Sequence, residues 1–472
     1  MSDENPVNEE PETVASPSER LDRLFRLREH GTTIGTELIA GATTFFTMAY
    51  IIFVQPMLLS LPPCGMNFKA VMVATCLASA LATLAMAFLA NYPIALAPAM
   101  GHNVYFVFTV CAIAGITWRQ GLGATFIAGC LFIILSAFDF RRKVMESVPL
   151  NLQYAIAAGI GLLIAMLGLQ WGGLVVKHPA TMVTLGKLNS AVPLLCLGAL
   201  AVTCVLMVWR VKGALLLGIL AGLLGAMLVG LSAPPKSVGD VVTLDISSRF
   251  AALGDTFLKM DPLGAITKGI FGVIFILFML DLFDTVGTLT GVAHQAGLMT
   301  EDGKLPRGKE ALLSDAIGTV AGAALGTSTV TSYIESSAGV SQGGRTGLAN
   351  IMTALLFILA LFFSPLIEMI GRNFSADPTV FLNPVVAPVL IIVGSLMMRS
   401  TAKINWEDYT EAIPCFLAMV LMPLTFSITD GIAFGFISMA LLKLISGREE
   451  ELNWVVYVVA LAFIGRYVYM FW

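Results

Sequence analysis

Long apolar stretches alternate with short polar connections along almost the whole chain. Fourteen of these stretches approach the ~20 residues that an α-helix needs to span a bilayer core. The pattern predicts an all-α polytopic membrane protein with 14 transmembrane segments, numbered here in chain order. The segments lie at 34–60, 69–90, 94–113, 120–140, 149–171, 191–209, 213–231, 264–290, 310–325, 327–342, 346–367, 379–398, 409–426 and 429–446.

A longer polar stretch, 232–262, divides the segments into seven and seven. An odd number of segments in each half gives the two halves opposite orientations in the bilayer. The pattern therefore predicts two inverted 7-helix repeats, a layout typical of secondary transporters. A further apolar stretch, 453–472, carries Arg466 in its middle, and its pattern fits either a spanning helix or an interfacial one.

Basic residues predict the orientation, because short cytoplasmic loops carry an excess of lysine and arginine. Four arginines precede segment 1, which indicates a cytoplasmic N-terminus and a multi-pass protein of the cell (inner) membrane. The acidic residues 1–17 are expected to be disordered. The even-numbered loops hold most of the other basic residues: Arg141, Arg142, Lys143, Arg210, Lys212, Lys304, Arg307, Lys309, Arg345, Arg399 and Lys403.

Segments 3 and 10 are interrupted at matching places in the two halves. Segment 3 carries Pro93 and Pro98, each of which lacks a backbone donor and disfavours helix in the preceding residue. Segment 10 begins with the hydroxyl-rich run 327–332. We expect a short β-strand and then a half-helix in each, with helix N-termini directed at a common centre. Such a pair of interruptions indicates a binding site at the membrane midplane, with Asn103 and Glu335 at equivalent points.

Three acids fall at membrane depth, where an ionisable side chain indicates a functional site. Asp281 and Asp284 are three residues apart on one face of segment 8. Two acids this close cannot both ionise cheaply, so one of them is expected to bind the coupling proton. The alternative is that one only hydrogen-bonds the backbone of a broken helix. Glu335 is expected to accept hydrogen bonds from the N–H groups of a ligand or to bind a proton. Its alternative role is structural, because Ser332-x-x-Glu335 also fits a capping box.

Other candidate residues flank these acids. Asn103 can both donate and accept hydrogen bonds, and its alternative role is to cap the half-helix of segment 3. Tyr333 and Phe106 are expected either to stack on a flat ligand or to pack within the protein. Backbone N–H groups that would bind ligand acceptors lie near Ala99, Gly101, Tyr333 and Ile334. Accessory candidates are His102, Asp315 and Thr288, whereas Glu37, Glu368 and Asp430 are expected to be interfacial.

Composition agrees with a membrane protein and argues against several kinds of site, such as metal centres and catalytic sites. Charged residues make up 12% of the chain, about half the usual share in soluble proteins, and 57% of residues are hydrophobic. The seven cysteines lack metal-ligand spacing, so we expect neither a metal nor another cofactor. We also find no nucleophile–base pair or phosphate loop, which argues against an enzyme, and we expect no nucleic-acid partner.

Several motifs resemble those of AzgA-like purine permeases, in the nucleobase:cation symporter-2 (xanthine/uracil permease) group. The resemblance covers about residues 30–446. The motifs are Thr36-Glu37-Leu38 through Tyr50-Ile51, Ala97-Pro98-x-Met100-Gly101-x-Asn103, Phe283-Asp284-Thr285-x-Gly287-Thr288, Gly326 through Ser336 with Gly343-Gly344-Arg345, and Met422-Pro423-Leu424-Thr425 with Asp430-Gly431.

The resemblance implies proton-coupled import of adenine, guanine or hypoxanthine, and a homodimer as in many relatives. It implies substrate contacts from Asp281 or Asp284, Glu335 and Asn103. Ala99, where members often carry glycine, and His102 depart from the family pattern. The implied division is a disordered cytoplasmic tail (1–30), core domain (31–140 and 263–367), gate domain (141–262 with the long loop, and 368–446) and C-terminal stretch (447–472).

Other kinds of transport protein compete with a purine importer. A carrier of uracil, xanthine or an inorganic anion would use the same fold. An anion site would need a positive residue near 331–335, and that stretch has none. A channel would place polar residues along several segments, whereas here they concentrate in three.

Overall fold

The computed structural model describes residues 17–62, 64–137, 148–245, 247–300, 305–375, 377 and 380–471. Three sequence predictions therefore lie outside the described residues. They are the disordered tail up to residue 16, the end of segment 4 at 138–140, and the basic residues Arg141, Arg142, Lys143 and Lys304.

The first half contains nine helices and three strands among the described residues. They are α1 (Pro17–Phe25), α2 (Ile34–Met48), α3 (Ile51–Leu59), α4 (Phe68–Ala85) with a π-helix at Met86–Ala90, β1 (Leu96–Pro98), α5 (Met100–Val104) with a π-helix at Tyr105–Ile113, α6 (Trp118–Ala137), α7 (Leu150–Trp171), β2 (Val175–His178), β3 (Met182–Leu185), α8 (Ala191–Val208) and α9 (Ala214–Leu228).

The second half contains eleven α-helices and one strand among its described residues. Its elements are α10 (Ser247–Leu253), α11 (Pro262–Thr267), α12 (Phe271–Gln295), α13 (Gly308–Leu325), β4 (Val330–Ser332), α14 (Ser336–Val340), α15 (Gly347–Ala360), α16 (Ser364–Ile370), α17 (Ala387–Met397), α18 (Tyr409–Thr425), α19 (Ile428–Ile445) and α20 (Trp454–Phe471). Short 3₁₀ helices lie at Val238–Asp240, Leu361–Phe363, Met398–Lys403 and Glu449–Glu451.

The 14 predicted segments correspond to these helices, and eight described helical stretches are long and apolar enough to span a membrane. Two boundaries were wrong. Segment 8 does not end at residue 290 but continues to Gln295, because the residue that stops it is Gly297 at φ +68°. Segment 12 becomes helical only at Ala387, because the Asn383 side chain accepts from the Val386 N–H at 2.9 Å and holds the preceding chain in a turn.

The strands predicted in segments 3 and 10 are confirmed, and they pair with each other. β1 and β4 are antiparallel, with Leu96 opposite Ser332 and Pro98 opposite Val330. On the other edge of β1, the Thr83 hydroxyl satisfies both the N–H and the C=O of Leu96 at 3.0 Å. Irregular backbone in the middle of the protein is thus fully hydrogen-bonded there, as the absence of water requires. The β2–β3 hairpin between segments 5 and 6 was not predicted.

Residues 17–30 differ from the expected disordered tail. They form α1 and a turn in which Phe25 and Leu27 are buried against Leu348 of α15. The Asn91 side chain also donates to the Phe25 carbonyl at 2.9 Å. Two apolar side chains and one buried hydrogen bond are enough to hold this segment, although its charged positions favour disorder.

The helices pack into two groups, each drawn from both halves of the chain. The first group contains α2, α4, α6, α12, α13 and α15 together with the β1–β4 pair. The second group contains α7, α8, α9, α17, α18 and α19. α20 packs against α19 and so extends the second group.

Contacts between connections agree with alternating orientation. The connection after segment 7 touches the start of segment 2, where Asn67 donates to Asp255 at 2.6 Å. It also touches the start of segment 4, where the Asp261 N–H donates to the Arg119 carbonyl at 2.8 Å. These three connections therefore lie on one side of the molecule, as the segment count requires.

All three acids expected at the interface have partners within the protein, and Glu368 pairs with Arg249 and Lys69. Glu37 is fully buried, and its carboxylate accepts from the Arg345 N–H at 2.8 Å and the Ala349 N–H at 3.2 Å. It satisfies the free N–H groups at the start of α15, where the helix dipole also favours an anion. Asp430 accepts from the Tyr467 hydroxyl at 2.7 Å.

Candidate functional site

The β1–β4 pair brings two half-helices together. β1 leads into α5, and β4 leads into α14, so both helices start beside the same two-stranded sheet. Neither start has a side-chain cap. The Ala99 N–H, expected to face a ligand, donates to the Thr329 carbonyl at 2.9 Å, and the Tyr333 N–H donates to the Ala95 carbonyl at 3.0 Å. These two donors are therefore used to hold the strands.

Glu335 stands immediately before α14 and is half-buried. Its carboxylate accepts from the Tyr50 hydroxyl at 2.7 Å. The capping box proposed for Ser332 and Glu335 is wrong, because the Ser332 hydroxyl donates to Asp315 at 3.2 Å instead.

Tyr50 is a site residue that the sequence did not single out. It lies at the interruption of segment 1 between α2 and α3, and its side chain is almost completely buried. In the sequence it is one aromatic residue in an apolar run. The contact with Glu335 joins residues 285 positions apart, so no local pattern could reveal it.

Asp281 and Asp284 have different surroundings although they lie one turn apart on α12. Asp281 is 2% exposed and accepts from the Thr319 hydroxyl of α13 at 3.1 Å. Asp284 is exposed and lies within electrostatic range of both Asp315 and Glu335. One turn further along α12, a methyl group added at Gly287 would meet nothing within 4 Å, so this face of the helix borders an open space.

Asp315 connects three elements around the strands. It is fully buried on α13, and its carboxylate accepts from the Ser332 N–H of β4 at 3.0 Å. It also accepts from the Thr285 hydroxyl of α12 at 2.7 Å. Asp315 lies well inside α13 and bonds β4 across the core.

Asn103 lies behind the strands, inside a buried polar cluster. It is fully buried, and its side-chain amide bonds Gln55 of α3 and Ser328. Gln55 donates further to the Thr327 hydroxyl at 2.7 Å. Asn103 is not the cap of α5, because Ala99 occupies that position. Gln55, like Tyr50, was missed as a single polar residue in an apolar segment.

Of the remaining candidates, Tyr333 and Phe106 pack within the protein, whereas Ile334 lies beside α12 and Thr288 lies on it. The Tyr333 hydroxyl donates to the Pro98 carbonyl at 2.5 Å, which ties segment 10 to segment 3. Phe106 is fully buried against Gly121 of α6 and packs as an ordinary core residue. Ile334 is 53% exposed and approaches Gly291 of α12. Thr288 is 9% exposed on the same helix.

His102 and Gly101 mark the edge of the site that touches the second helix group. His102 is 2% exposed, and neither ring nitrogen has a hydrogen-bond partner among the described residues. A methyl group added at Gly101 would lie 2.7 Å from Cγ2 of Ile160 on α7. Segment 3 therefore meets the second group through a position that has no side chain.

The candidate site therefore groups two carboxylates and a phenol near the open face of α12 and the start of α14. Asp284 and Glu335 can accept hydrogen bonds or a proton, and Tyr50 already donates to one of them. Such an arrangement recognises a ligand with several N–H donors. Among the described residues, no three His, Cys, Asp or Glu side chains are grouped to hold a metal ion.

A family model described as "Permease family", for xanthine/uracil permeases, matches residues 35–434. The chain belongs to this family. The permease is 42% identical to the adenine permease AdeP of Escherichia coli (strain K12), over 97% of this chain and 98% of that relative. It is 44% identical to the guanine/hypoxanthine permease PbuO of Bacillus subtilis (strain 168), over 93% and 98% of the two chains.

A solved structure supports the architecture. The transmembrane domain of the bicarbonate transporter BicA from a cyanobacterium aligns with this permease at a TM-score of 0.56. The alignment covers 84% of this chain and 97% of that domain at 14% identity. At this identity the likeness concerns the fold, and it agrees with two inverted repeats of seven segments.

Proposed function

We propose that this permease imports a purine nucleobase of the adenine, guanine and hypoxanthine class together with a proton. Relatives more than 40% identical over nearly their full length carry the names adenine permease and guanine/hypoxanthine permease. The observation that carries the proposal is the approach of Asp284 and Glu335 to one open space at the ends of the broken segments.

The chemistry of the site fits a purine. A purine base presents N–H and amino donors on its edges, and carboxylates accept them. Glu335 would receive these donors while Tyr50 fixes one of its oxygens at 2.7 Å. Asp284, exposed and near two other carboxylates, is the residue best placed to bind the coupling proton. Asn103 and Asp281 would act from behind the site, by holding α5 and α12.

The two helix groups support transport by alternating access. The first group would be the core domain that carries the substrate (31–140 and 263–367), and the second would be the gate domain (141–262 and 368–446). The distribution of basic residues supports a cytoplasmic N-terminus. Assembly as a homodimer stays a proposal that only the family resemblance supports.

Uptake measurements test the proposal directly. Radiolabelled adenine, guanine, hypoxanthine, xanthine and uracil would be offered to cells that lack their own permeases, with and without a protonophore. We expect saturable uptake of at least one of the three named purines and its loss with the protonophore. Saturable uptake of xanthine or uracil alone would show that the assigned substrate is wrong. Sodium-driven uptake that resists the protonophore would show that only the assigned coupling ion is wrong. No saturable uptake of any base would end the proposal.

A further inference from the structure

Helix α20 lies beyond the residues matched by the family model and runs antiparallel along α19. Near the start of α20, the Tyr457 hydroxyl approaches the Glu449 carbonyl at 3.4 Å, where α19 has just ended. In the middle, the rings of Phe463 and Phe436 are 6.4 Å apart. Towards its end, Tyr467 lies 6.0 Å from Phe434, near the start of α19. The contacts follow the full length of α19, which favours a spanning helix over an interfacial one.

A polar contact fixes the far end of this pair. The Tyr467 hydroxyl donates to Oδ1 of Asp430 at 2.7 Å. Asp430 lies in the first turn of α19, where its own N–H donates to the side chain of the N-cap, Ser427, at 3.2 Å. A hydrogen bond to a charged acceptor is stronger than one between neutral groups, so this contact is suited to holding the first turn of α19 in place.

The start of α19 is a second part of the second helix group that meets segment 3, besides α7. The ring of Phe426, in the connection before α19, packs edge-on against Phe108 with centroids 5.6 Å apart. α19 also packs against the π-helix Tyr105–Ile113 of segment 3, in which Tyr105 is buried.

These contacts form a continuous chain from the C-terminal helix to the edge of the substrate site. Tyr467 donates to Asp430, Asp430 belongs to the first turn of α19, and α19 packs against the π-helix that begins at Tyr105, one turn after Gly101. We propose that α20 is a fifteenth spanning helix of the gate and that Tyr467 is a positioning residue, which sets the gate surface against which segment 3 moves.

Hydrogen exchange tests the positioning role without any substrate. The full-length protein in nanodiscs would be compared as wild type, Tyr467→Phe and the control Tyr457→Phe, whose hydroxyl donates to the Glu449 carbonyl in the connection before α20. We expect peptides covering residues 426–434 to exchange about fivefold faster in Tyr467→Phe, as the loss of one hydrogen bond allows, and unchanged in Tyr457→Phe. Equal protection of these peptides in all three proteins would overturn the inference.

Transport kinetics provide a second readout, and this one rests on the proposed function. We expect Tyr467→Phe to lower the maximal uptake rate about fivefold with an unchanged half-saturation concentration, because the site itself is intact. Asp430→Asn, which keeps an acceptor oxygen for Tyr467, should transport almost as wild type, whereas Asp430→Ala should match Tyr467→Phe. A wild-type rate in Tyr467→Phe would contradict the inference. Absence of uptake by the wild-type protein would instead contradict the proposed function. The hydrogen-exchange result alone would then test the positioning role of Tyr467.

Discussion

The two aspartates of α12 illustrate how strongly the surroundings of a residue decide its role. Their spacing of three places them on one side of the helix, and the sequence could not separate them. Asp281 turns towards α13 and accepts from Thr319, whereas Asp284 borders the open space. A carboxylate held by a buried hydroxyl is suited to fixing a helix, and an exposed one beside other acids is suited to binding a proton.

This difference predicts opposite outcomes for two matched substitutions. Asp284→Asn removes the titrating group, so we expect purine uptake at neutral pH to fall below about a hundredth of wild type. Asp281→Asn still offers an oxygen to Thr319, so we expect uptake within a few-fold of wild type. Initial uptake rates normalised to protein in the membrane measure both. Loss of uptake in Asp281→Asn together with full uptake in Asp284→Asn would reverse the assignment.

Tyr50 carries a second prediction at the residue scale. Tyr50→Phe removes the hydroxyl that orients the Glu335 carboxylate at 2.7 Å. A hydrogen bond to a charged group contributes about 1.5–3 kcal/mol, so we expect uptake efficiency to fall at least about tenfold. Tyr409→Phe is the control, because its side chain is 76% exposed. Equal loss in both variants would show a general effect of the substitution rather than a role for Tyr50.

The sequence pointed to the acids of the proposed site but not to their hydrogen-bond partners, for a physical reason. A carboxylate at membrane depth is costly and therefore conspicuous, as Asp284 and Glu335 were. Tyr50 and Gln55 are compatible with an apolar helix, and their roles arise only when segments 1, 3 and 10 come together. Asn103 was recognised as a candidate, but the direction of its side chain was not predicted. A short half-helix has polar residues on more than one face, so its sequence does not show which face borders the ligand.

Among the elements, hydrophobic length predicted where helices lie but not how they are interrupted. The strands of segments 3 and 10 could be predicted because proline and hydroxyl-rich residues mark them. The break in segment 1 at Ala49 and Tyr50, and the π-helices at Met86–Ala90 and Tyr105–Ile113, have no such marker. They depend on packing between segments, which a single apolar run does not encode.

Close packing of α2 on α15 gives a prediction at the scale of elements. A methyl group added at Gly41 of α2 would lie 2.0 Å from the Ala349 carbonyl oxygen of α15. Backbone cannot move away easily, so we expect Gly41→Ala to destabilise the folded protein by about 1–3 kcal/mol or more. Gly35→Ala, on the same helix with nothing within 4 Å, should be neutral or slightly stabilising.

Thermal unfolding of the two variants in detergent measures this difference. We expect the melting temperature of Gly41→Ala to lie several degrees below that of wild type. The melting temperature of Gly35→Ala should equal that of wild type. Equal melting temperatures for the two alanine variants would mean that the space between α2 and α15 accepts the methyl group at residue 41.

At the scale of the whole molecule, a network of charges joins the ends of α18, α19 and the connection to α20. Lys443 is 1% exposed and pairs with Glu411 at 2.8 Å and Glu451 at 2.7 Å. Arg448 pairs with Asp408 at 2.8 Å and with Glu451 at 2.6 Å. A buried cation that lost its partners would be strongly destabilising, so the network has to form as a unit.

The network predicts a specific pH dependence. Hydrogen bonds from Thr410 and Arg448 lower the pKa of Asp408 to about 2, and those led by Arg448 lower the pKa of Glu451 to about 2. Because both pKa values are depressed in the folded state, their stabilisation is complete above about pH 5 and is lost as the pH falls towards 2. We expect Arg448→Gln to lower the melting temperature at pH 7 and to approach wild type at pH 3.

The control for this effect is Lys268→Gln, an exposed residue outside the network. Its melting temperature should differ from wild type by the same small amount at both pH values. If the gap between Arg448→Gln and wild type were as wide at pH 3 as at pH 7, charge pairing would not be the source of the stabilisation.

Movement of the two helix groups past each other depends on how closely they approach, and they approach closely at Gly101 beside the site. A methyl group there would lie 2.7 Å from Cγ2 of Ile160 on the facing helix. Gly101→Ala keeps the backbone N–H but holds the groups apart, so we expect the maximal uptake rate to fall at least about tenfold. Ile160→Ala in the same chain makes room for the methyl and should restore much of the rate. Gly198→Ala, which adds a methyl with no neighbour within 4 Å, is the control and should transport as wild type. If Ile160→Ala gave no recovery, the defect would arise from strain within segment 3 rather than from its contact with the gate.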